Sequence, residues 1–162
     1  MTRSYRLMLA HDVASVLELR LSTRENPVTL QELEEDYGVT PQSMTAALVE
    51  GRVQGWLCED AGTVVGFAMG DPVTGEVLVL AVRPGHERQG IGRRLLQAVV
   101  DALRAQGRRS IWLLSNPDPG TRACGFYRKL GWAATGRMVR EDEIMKLADG
   151  AMPGRGGTAS DR

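Results

Sequence analysis

The feature that most limits what this chain can fold into is the segment from Glu76 to Leu103. Glu76 to Val82 is an unbroken β-forming run. It passes through Arg83-Pro84-Gly85-His86-Glu87-Arg88-Gln89-Gly90 into a helical pattern in which Ile91, Leu95, Leu96, Val99, Val100 and Leu103 share one stripe. Arg93, Arg94, Gln97, Asp101 and Arg104 occupy the opposite stripe, so this helix must lay its apolar side on a sheet. A strand, a glycine turn and a helix in that order also make an anion site. Glycine lets the backbone approach closely, and the first helical N–H groups have no partner within the helix. The helix dipole adds about 0.3–1 kcal/mol for a negative group there. Arg83, Arg88, Arg93 and Arg94 lie in the same stretch, against the single acid Glu87.

The remaining elements follow from periodicity and punctuation. Tyr5 to Leu9 reads as a strand, and Asp12 as the cap of a helix through about Arg20. Thr29 and Glu32 form a capping box for a short helix through Glu35, and Thr40-Pro41 opens another that Gly51 stops. Gln54–Glu59, Thr63–Met69 and Glu76–Val82 read as an antiparallel meander with turns at Asp60-Ala61-Gly62 and Gly70–Gly75. Ser110–Leu114 is a strand that a helix links to the one before it, so the two are expected to be parallel neighbours. A helix from Thr121 to Leu130 and strands at Trp132–Val139 and Glu141–Leu147 close the pattern. The expectation is an α/β (α+β) domain over residues 3–148. It has a central mixed, mostly antiparallel sheet of six to seven strands in the order β-α-α-β-β-β-α-β-α-β-β. The glycine-rich, core-poor stretch 150–162 reads as a disordered tail.

Charge and cysteine usage narrow the function. Twenty basic residues balance 20 acidic ones, so nothing global points to nucleic acid or an anionic membrane. No apolar run approaches the ~20 residues of a membrane span, and no apolar leader is seen, so the expected location is cytoplasmic. Cys58 and Cys124, with only His11 and His86 beside them in the sequence, lack metal-ligand spacing, and no metal is expected. Among phosphate loops, a Walker A needs Gly-Lys-Ser/Thr where this chain has Gly92-Arg93-Arg94. A dinucleotide fingerprint needs a third small residue where Leu95 stands. A plain glycine turn before a solvated cationic helix face remains open on the residues alone.

The run from Leu80 to Leu96, with Arg88-Gln89-Gly90-Ile91-Gly92-Arg93 at its centre, resembles the acetyl-CoA-binding motif of GNAT-superfamily N-acetyltransferases. Phe126-Tyr127-Arg128-Lys129-Leu130-Gly131-Trp132 resembles the second signature of that superfamily, and the likeness covers roughly residues 3–147. The resemblance implies acetyl-CoA as co-substrate and transfer of its acetyl group to a primary amine by direct attack on the thioester. It implies that the backbone of Leu80, Ala81 and Val82 pairs with the pantetheine arm. The amides of Arg88, Gln89, Gly90, Ile91, Gly92 and Arg93 would then hold the pyrophosphate. Tyr127 would stabilise or protonate the departing thiolate, with Phe126 packed against cofactor or core. Glu87 departs from the Gln or Arg usual at its position. Gly120 stands where many relatives carry Asn, with Asn116 as a substitute from the loop.

An amine near pKa ~10.4 is mostly protonated at neutral pH, so a general base is needed, and Glu76 is the first candidate. A solvent-facing charge after a turn is the plainer reading of Glu76. Arg24, Glu25 and Asn26, in an irregular polar stretch that resembles a segment of a bacterial subgroup, are candidates for acceptor binding. An ordinary solvated loop is the alternative there. Trp56 and Trp132 read equally as acceptor-cleft or core residues, and Gly125 reads as a site of close approach by backbone or cofactor. The acceptor is a small molecule, peptide or protein amine, and the chain a monomer or homodimer. A CoA-binding sensor or inactive relative is the alternative function.

Overall fold

The structure, a computed structural model, describes residues 3–23 and 27–154. Among these residues, one mixed sheet of seven strands carries five helices. The strands are β1 (Arg3–Leu7), β2 (Gln54–Asp60), β3 (Thr63–Gly70), β4 (Glu76–Val82), β5 (Trp112–Ser115), β6 (Trp132–Val139) and β7 (Asp142–Leu147). The helices are α1 (Val13–Ser22), α2 (Leu30–Tyr37), α3 (Pro41–Val49), α4 (Ile91–Ala105) and α5 (Arg122–Lys129). The spatial order is β1-β2-β3-β4-β5-β7-β6. Only β4 and β5 run parallel, as a strand–helix–strand crossover requires. The short capping-box helix is an element of its own, so three helices stand between β1 and β2.

The apolar stripe of α4 is the centre of the larger core. Ile91, Leu95, Leu96, Val99, Val100 and Leu103 are all buried there, together with Val77, Leu113, Trp132 and Met145. The close approach of this helix is set by β3, where Gly66, Ala68 and Gly70 alternate onto one face. A Cβ on Gly66 would lie 2.9 Å from the Ile91 side chain, and one on Gly70 would lie 2.7 Å from Val99. Larger residues at these points would push α4 off the sheet. On the opposite face α1 and α3 cover Leu57, Phe67 and Met69.

The capping box of α2 forms as its residues dictate. Thr29 Oγ1 accepts from the Glu32 N–H at 3.1 Å, and the Thr29 N–H donates to Glu32 Oε1 at 2.9 Å. Thr40 and Pro41 open α3 in the expected way.

Asp12 differs from its expected role. Its carboxylate does not cap α1 but turns back to the Leu9 N–H at 2.8 Å and takes both terminal nitrogens of Arg6 at 2.8 Å each. Two charge-assisted bonds and a backbone donor outweigh one cap. For the same reason β1 ends at Leu7 rather than Leu9, since Leu9 begins the turn that Asp12 closes.

Residues 151–154, grouped by composition with a tail, pack against the domain. Met152 is buried, Trp132 Nε1–H points at its sulfur at 3.3 Å, and Gln97 donates to its carbonyl at 3.0 Å. Arg104 donates to the carbonyls of both Ala151 and Met152. One buried thioether and three side-chain donors hold residues 151–154, a segment whose composition reads as disordered tail.

Candidate functional site

The site begins at a break in the sheet. On β4, Gly70 pairs with Val77 and Met69 with Val79, so Leu78 is an extra, looped-out residue. Such a bulge bends its strand and ends regular pairing. β4 and β5 pair only at Glu76 with Trp112 and Val77 with Leu113. Beyond this point the two strands part, and Leu78 to Val82 has no strand beside it on the β5 side. Leu80, Ala81 and Val82 lie along this open edge, whose backbone groups need partners.

At the end of the open edge comes the glycine loop. Gly90 is the N-cap of α4 at φ 82°, a left-handed conformation that glycine takes without steric penalty. The first α4 bond runs from the Arg94 N–H to the Gly90 carbonyl. This leaves the amides of Ile91, Gly92 and Arg93 without partners inside the helix. Ile91 contributes only its backbone, because its side chain is buried. Arg88 also sits in the left-handed region, at φ 63°.

The arginines divide their work. Arg83 turns away and donates twice to the Val64 carbonyl, at 3.1 and 2.9 Å. Arg94 lies over the Tyr5 ring at 4.1 Å. Arg88 and Arg93 stay exposed at the loop. A cleft of about 450 Å³ opens beside Arg93, lined by Gly90, Arg94, Lys129, Leu130 and Met152 among others. Cations over an apolar floor suit a group that is both phosphorylated and aromatic.

Glu87, the residue out of place in the motif, has a local function. Its carboxylate accepts from the Gly85 N–H at 2.9 Å and meets Arg122 Nη2 at 3.4 Å. These partners, the backbone N–H first, hold its pKa below the usual glutamate range. Its charge therefore closes the loop and ties it to α5.

Helix α5 brings in the aromatic residues. Thr121 caps it, and Phe126 and Tyr127 meet edge to face with ring centroids 5.3 Å apart. Tyr127 in turn meets Trp132 at 6.0 Å. A Cβ placed on Gly92 would lie 3.6 Å from Val82 and 3.7 Å from Phe126, so the open strand, the helix start and α5 converge at one point. Tyr127 is half-buried, and burial pushes its pKa up to about 12.

Glu76 opens β4 just before the strands part. Alternation from Val77, which faces α4, places it on the other side of the sheet. It is half-buried, and burial first and the nearby Asp71 second raise its pKa above the usual glutamate value.

Several expected residues stand apart from this convergence. Asn116 begins the exposed loop after β5 and accepts from the Asp118 N–H at 2.9 Å, so its oxygen shapes a turn. Trp132 is core, and Trp56 is half-buried against it. A Cβ on Gly125 would meet nothing within 4 Å, so no protein contact requires glycine there. Arg24, Glu25 and Asn26 lie outside the described residues. Sequence reasoning missed Leu78, hidden in an all-apolar run, and Arg3, which reaches Gln89 from 86 residues away. No group of acids, histidines and cysteines among the described residues has the arrangement of a metal site. No helix among them is long and apolar enough to cross a membrane.

A mixed sheet parted between two parallel strands, with a glycine-capped helix at the gap and a tyrosine helix across it, defines the N-acetyltransferase class of fold. A sequence model of the acetyltransferase (GNAT) family matches residues 14–132, and the chain belongs to that family. Its fold is similar to that of the PaiA N-acetyltransferase of Thermoplasma acidophilum in complex with coenzyme A. That pair has a TM-score of 0.76 at 17% identity, over 91% of this chain and 99% of the other. It is also similar to YncA of Salmonella typhimurium, a putative acetyltransferase with its cofactor acetyl-CoA, at TM-score 0.66, 19% identity, and 96% and 99% coverage. Among curated sequences it is 33% identical over 73 residues to the [ribosomal protein bS18]-alanine N-acetyltransferase of Escherichia coli (strain K12). The match takes in 44% of this chain and 49% of that protein. The chain thus spans about half the length of the curated relatives it matches.

Proposed function

We propose that this protein transfers the acetyl group of acetyl-CoA to a primary amine. The observation that carries the reading is the parting of β4 from β5 directly after Val77 and Leu113, beside the unpartnered amides at the start of α4. One side of β4 then offers backbone groups to an extended amide chain, and the helix start faces its phosphates. The residues present fit coenzyme A: Leu80, Ala81 and Val82 for the pantetheine arm, the amides of residues 88–93 for the pyrophosphate, and Arg88 and Arg93 for its charge. Acetyl-CoA supplies a thioester already activated for acyl transfer.

Glu76 takes the proton from the incoming ammonium, directly or through a water, and its raised pKa brings it closer to that task. The neutral amine nitrogen bonds to the acetyl carbon as the carbon–sulfur bond breaks, and the second proton shed by the nitrogen passes to the departing sulfur, which leaves as the coenzyme A thiol. Tyr127 donates a hydrogen bond to the departing sulfur. With its phenol near 12 against about 8.5 for a thiol, full proton transfer is uphill by about 5 kcal/mol. Hydrogen bonding to the developing thiolate is therefore its main contribution. The acceptor is an amine of a small molecule, peptide or protein. The Escherichia coli relative, named for an alanine of ribosomal protein bS18, supports including protein amines among the candidates.

The test is thiol release from acetyl-CoA with a panel of peptides and small amines, alongside coenzyme A titrations of wild type and a folded Gly90→Glu/Gly92→Glu variant. Acetylated product from the wild type and lost coenzyme A binding in the variant are expected. Undiminished affinity in the folded variant overturns the loop assignment. Binding without turnover on any amine makes the protein a coenzyme A sensor instead.

A further inference from the structure

We propose that Arg3, on the edge strand β1, is a positioning residue for the donor loop: it holds Gln89 so that the first α4 amides keep the orientation that receives the pyrophosphate. The proposal rests on the reading above that residues 88–93 grip the donor.

Arg3 Nη2 donates to Gln89 Oε1 at 2.6 Å and meets Asp60 Oδ2 at 3.4 Å. Asp60 is the residue paired with Arg3 across the β1–β2 ladder, so the sheet register itself brings the carboxylate beside the guanidinium. Its side chain is mostly buried, with 21% of its area exposed, and a buried cation held by a carboxylate has little freedom to swing away.

Gln89 passes the constraint on. Its Nε2 donates to the Gly85 carbonyl at 3.4 Å, so the one side chain joins both ends of the turn from Gly85 to Gly90. His86 Nε2 lies 3.9 Å from the same Asp60 oxygen, a second approach of the loop to this corner. On its other side the loop meets α5 through Glu87 and Arg122 at 3.4 Å. The turn contains two residues with left-handed backbone besides its cap, Gly85 and Arg88, and so needs external contacts to keep one shape. Tyr5, two residues along the same strand, carries Arg94 of the first α4 turn on its ring. β1 thus touches both the loop and the helix start while lying three strands away from the open edge of β4.

A preorganised loop binds more tightly because less order is lost on binding. Losing one charge-assisted hydrogen bond that does only this costs about 3- to 10-fold in affinity. The experiment measures KM for acetyl-CoA, KM for the acceptor, kcat, coenzyme A dissociation constant and melting temperature. The variants are Arg3→Met, Arg3→Lys, Gln89→Ala and the Arg3→Met/Gln89→Ala double, with Gly90→Glu/Gly92→Glu as reference. Arg3→Met and Gln89→Ala each raise KM for acetyl-CoA and the dissociation constant by about 3- to 10-fold, with kcat and acceptor KM unchanged. The double variant loses less than the sum of the two single losses, because both single variants break the Arg3–Gln89 contact. Arg3→Lys, which keeps a charge beside Asp60, recovers part of the loss.

Unchanged coenzyme A affinity in Arg3→Met, with binding lost in the glycine pair, overturns the role of Arg3 and leaves the loop reading standing. Additive losses in the double variant, or a fall in kcat and melting temperature that accounts for the lost affinity, also overturn it. Unchanged affinity in the glycine pair as well removes both readings.

Discussion

Val77 and Val79, two residues apart on β4, face opposite sides of the sheet: Val77 packs beneath α4, and Val79 packs on the side of α1 and α3. In a regular strand they would share a face. Leu78, looped out between them and 42% exposed, reverses the alternation. The same residue marks the place where β4 stops pairing with β5, so one inserted position re-aims the strand at the point where the sheet opens.

Tyr127→Phe keeps the ring contacts with Phe126 and Trp132 and removes only the hydroxyl. Steady-state kinetics are expected to show kcat lower by about 10- to 100-fold, with KM for acetyl-CoA within about twofold of wild type. Because burial holds the phenol near 12, it stays protonated throughout the usable range. The wild-type pH–rate profile should then show no loss from Tyr127 ionisation below about pH 11. Wild-type kcat in Tyr127→Phe removes it from the mechanism.

Glu76→Gln separates activity from stability. Burial, and after it the nearby Asp71, raises this carboxyl's pKa, so folding disfavours its charged form relative to the unfolded chain. The stability it contributes is present below the unfolded value and is lost as pH rises through the raised folded value. At pH 7 its charge is a liability, and Gln should leave the melting temperature unchanged or slightly higher. Activity should fall by about 100-fold if Glu76 is the base, and the acidic limb of the wild-type kcat/KM profile should lie above the ordinary glutamate range. A variant as active as wild type assigns the proton to another group.

Asp12→Asn tests the corner at the start of α1. Asp12 is buried, accepts both terminal nitrogens of Arg6 and the Leu9 N–H, and has a pKa lowered chiefly by Arg6. Urea unfolding at pH 7 should show a loss of about 1–3 kcal/mol. The sign is that of a depressed carboxyl: its stability is present above the unfolded value of about 3.9 and disappears as pH falls through the folded one. The difference between the two proteins should therefore shrink in acid, and one that does not change with pH contradicts the ion-pair account.

Met152→Ala removes the side chain that fixes the C-terminal segment against Trp132. A loss of about 2 kcal/mol in denaturant unfolding is expected, with faster proteolysis beyond residue 150 and an altered Trp132 fluorescence. Unchanged stability and proteolysis show that Arg104 and Gln97 hold the segment through its backbone alone.

The elements readable from sequence were those whose cause is local. The span of β4, the stripe of α4, the Thr29–Glu32 box and the pairing of Phe126 with Tyr127 each depend on residues within a few positions of one another. Asp12 reads as a cap because Ser, Thr, Asn and Asp at a helix start cap it by default, and only the fold brings Arg6 close enough to compete. Four arginines near the loop read as one basic cluster. The structure commits Arg83 to a β3 carbonyl and Arg94 to an aromatic ring, because helix and strand geometry send neighbouring side chains in different directions.

The sequence by itself determined that a β-strand feeds a glycine turn and an amphipathic helix, and that a tyrosine helix follows; these depend on spacing and turn chemistry. Tertiary structure alone decided that β4 would open after Val77, because a run of seven mostly apolar residues carries no mark of where a bulge falls. It also decided that Arg3 would meet Gln89 and that Met152 would join the core. Contacts between distant segments arise only when the sheet places their strands and helices side by side, and no local pattern encodes that placement.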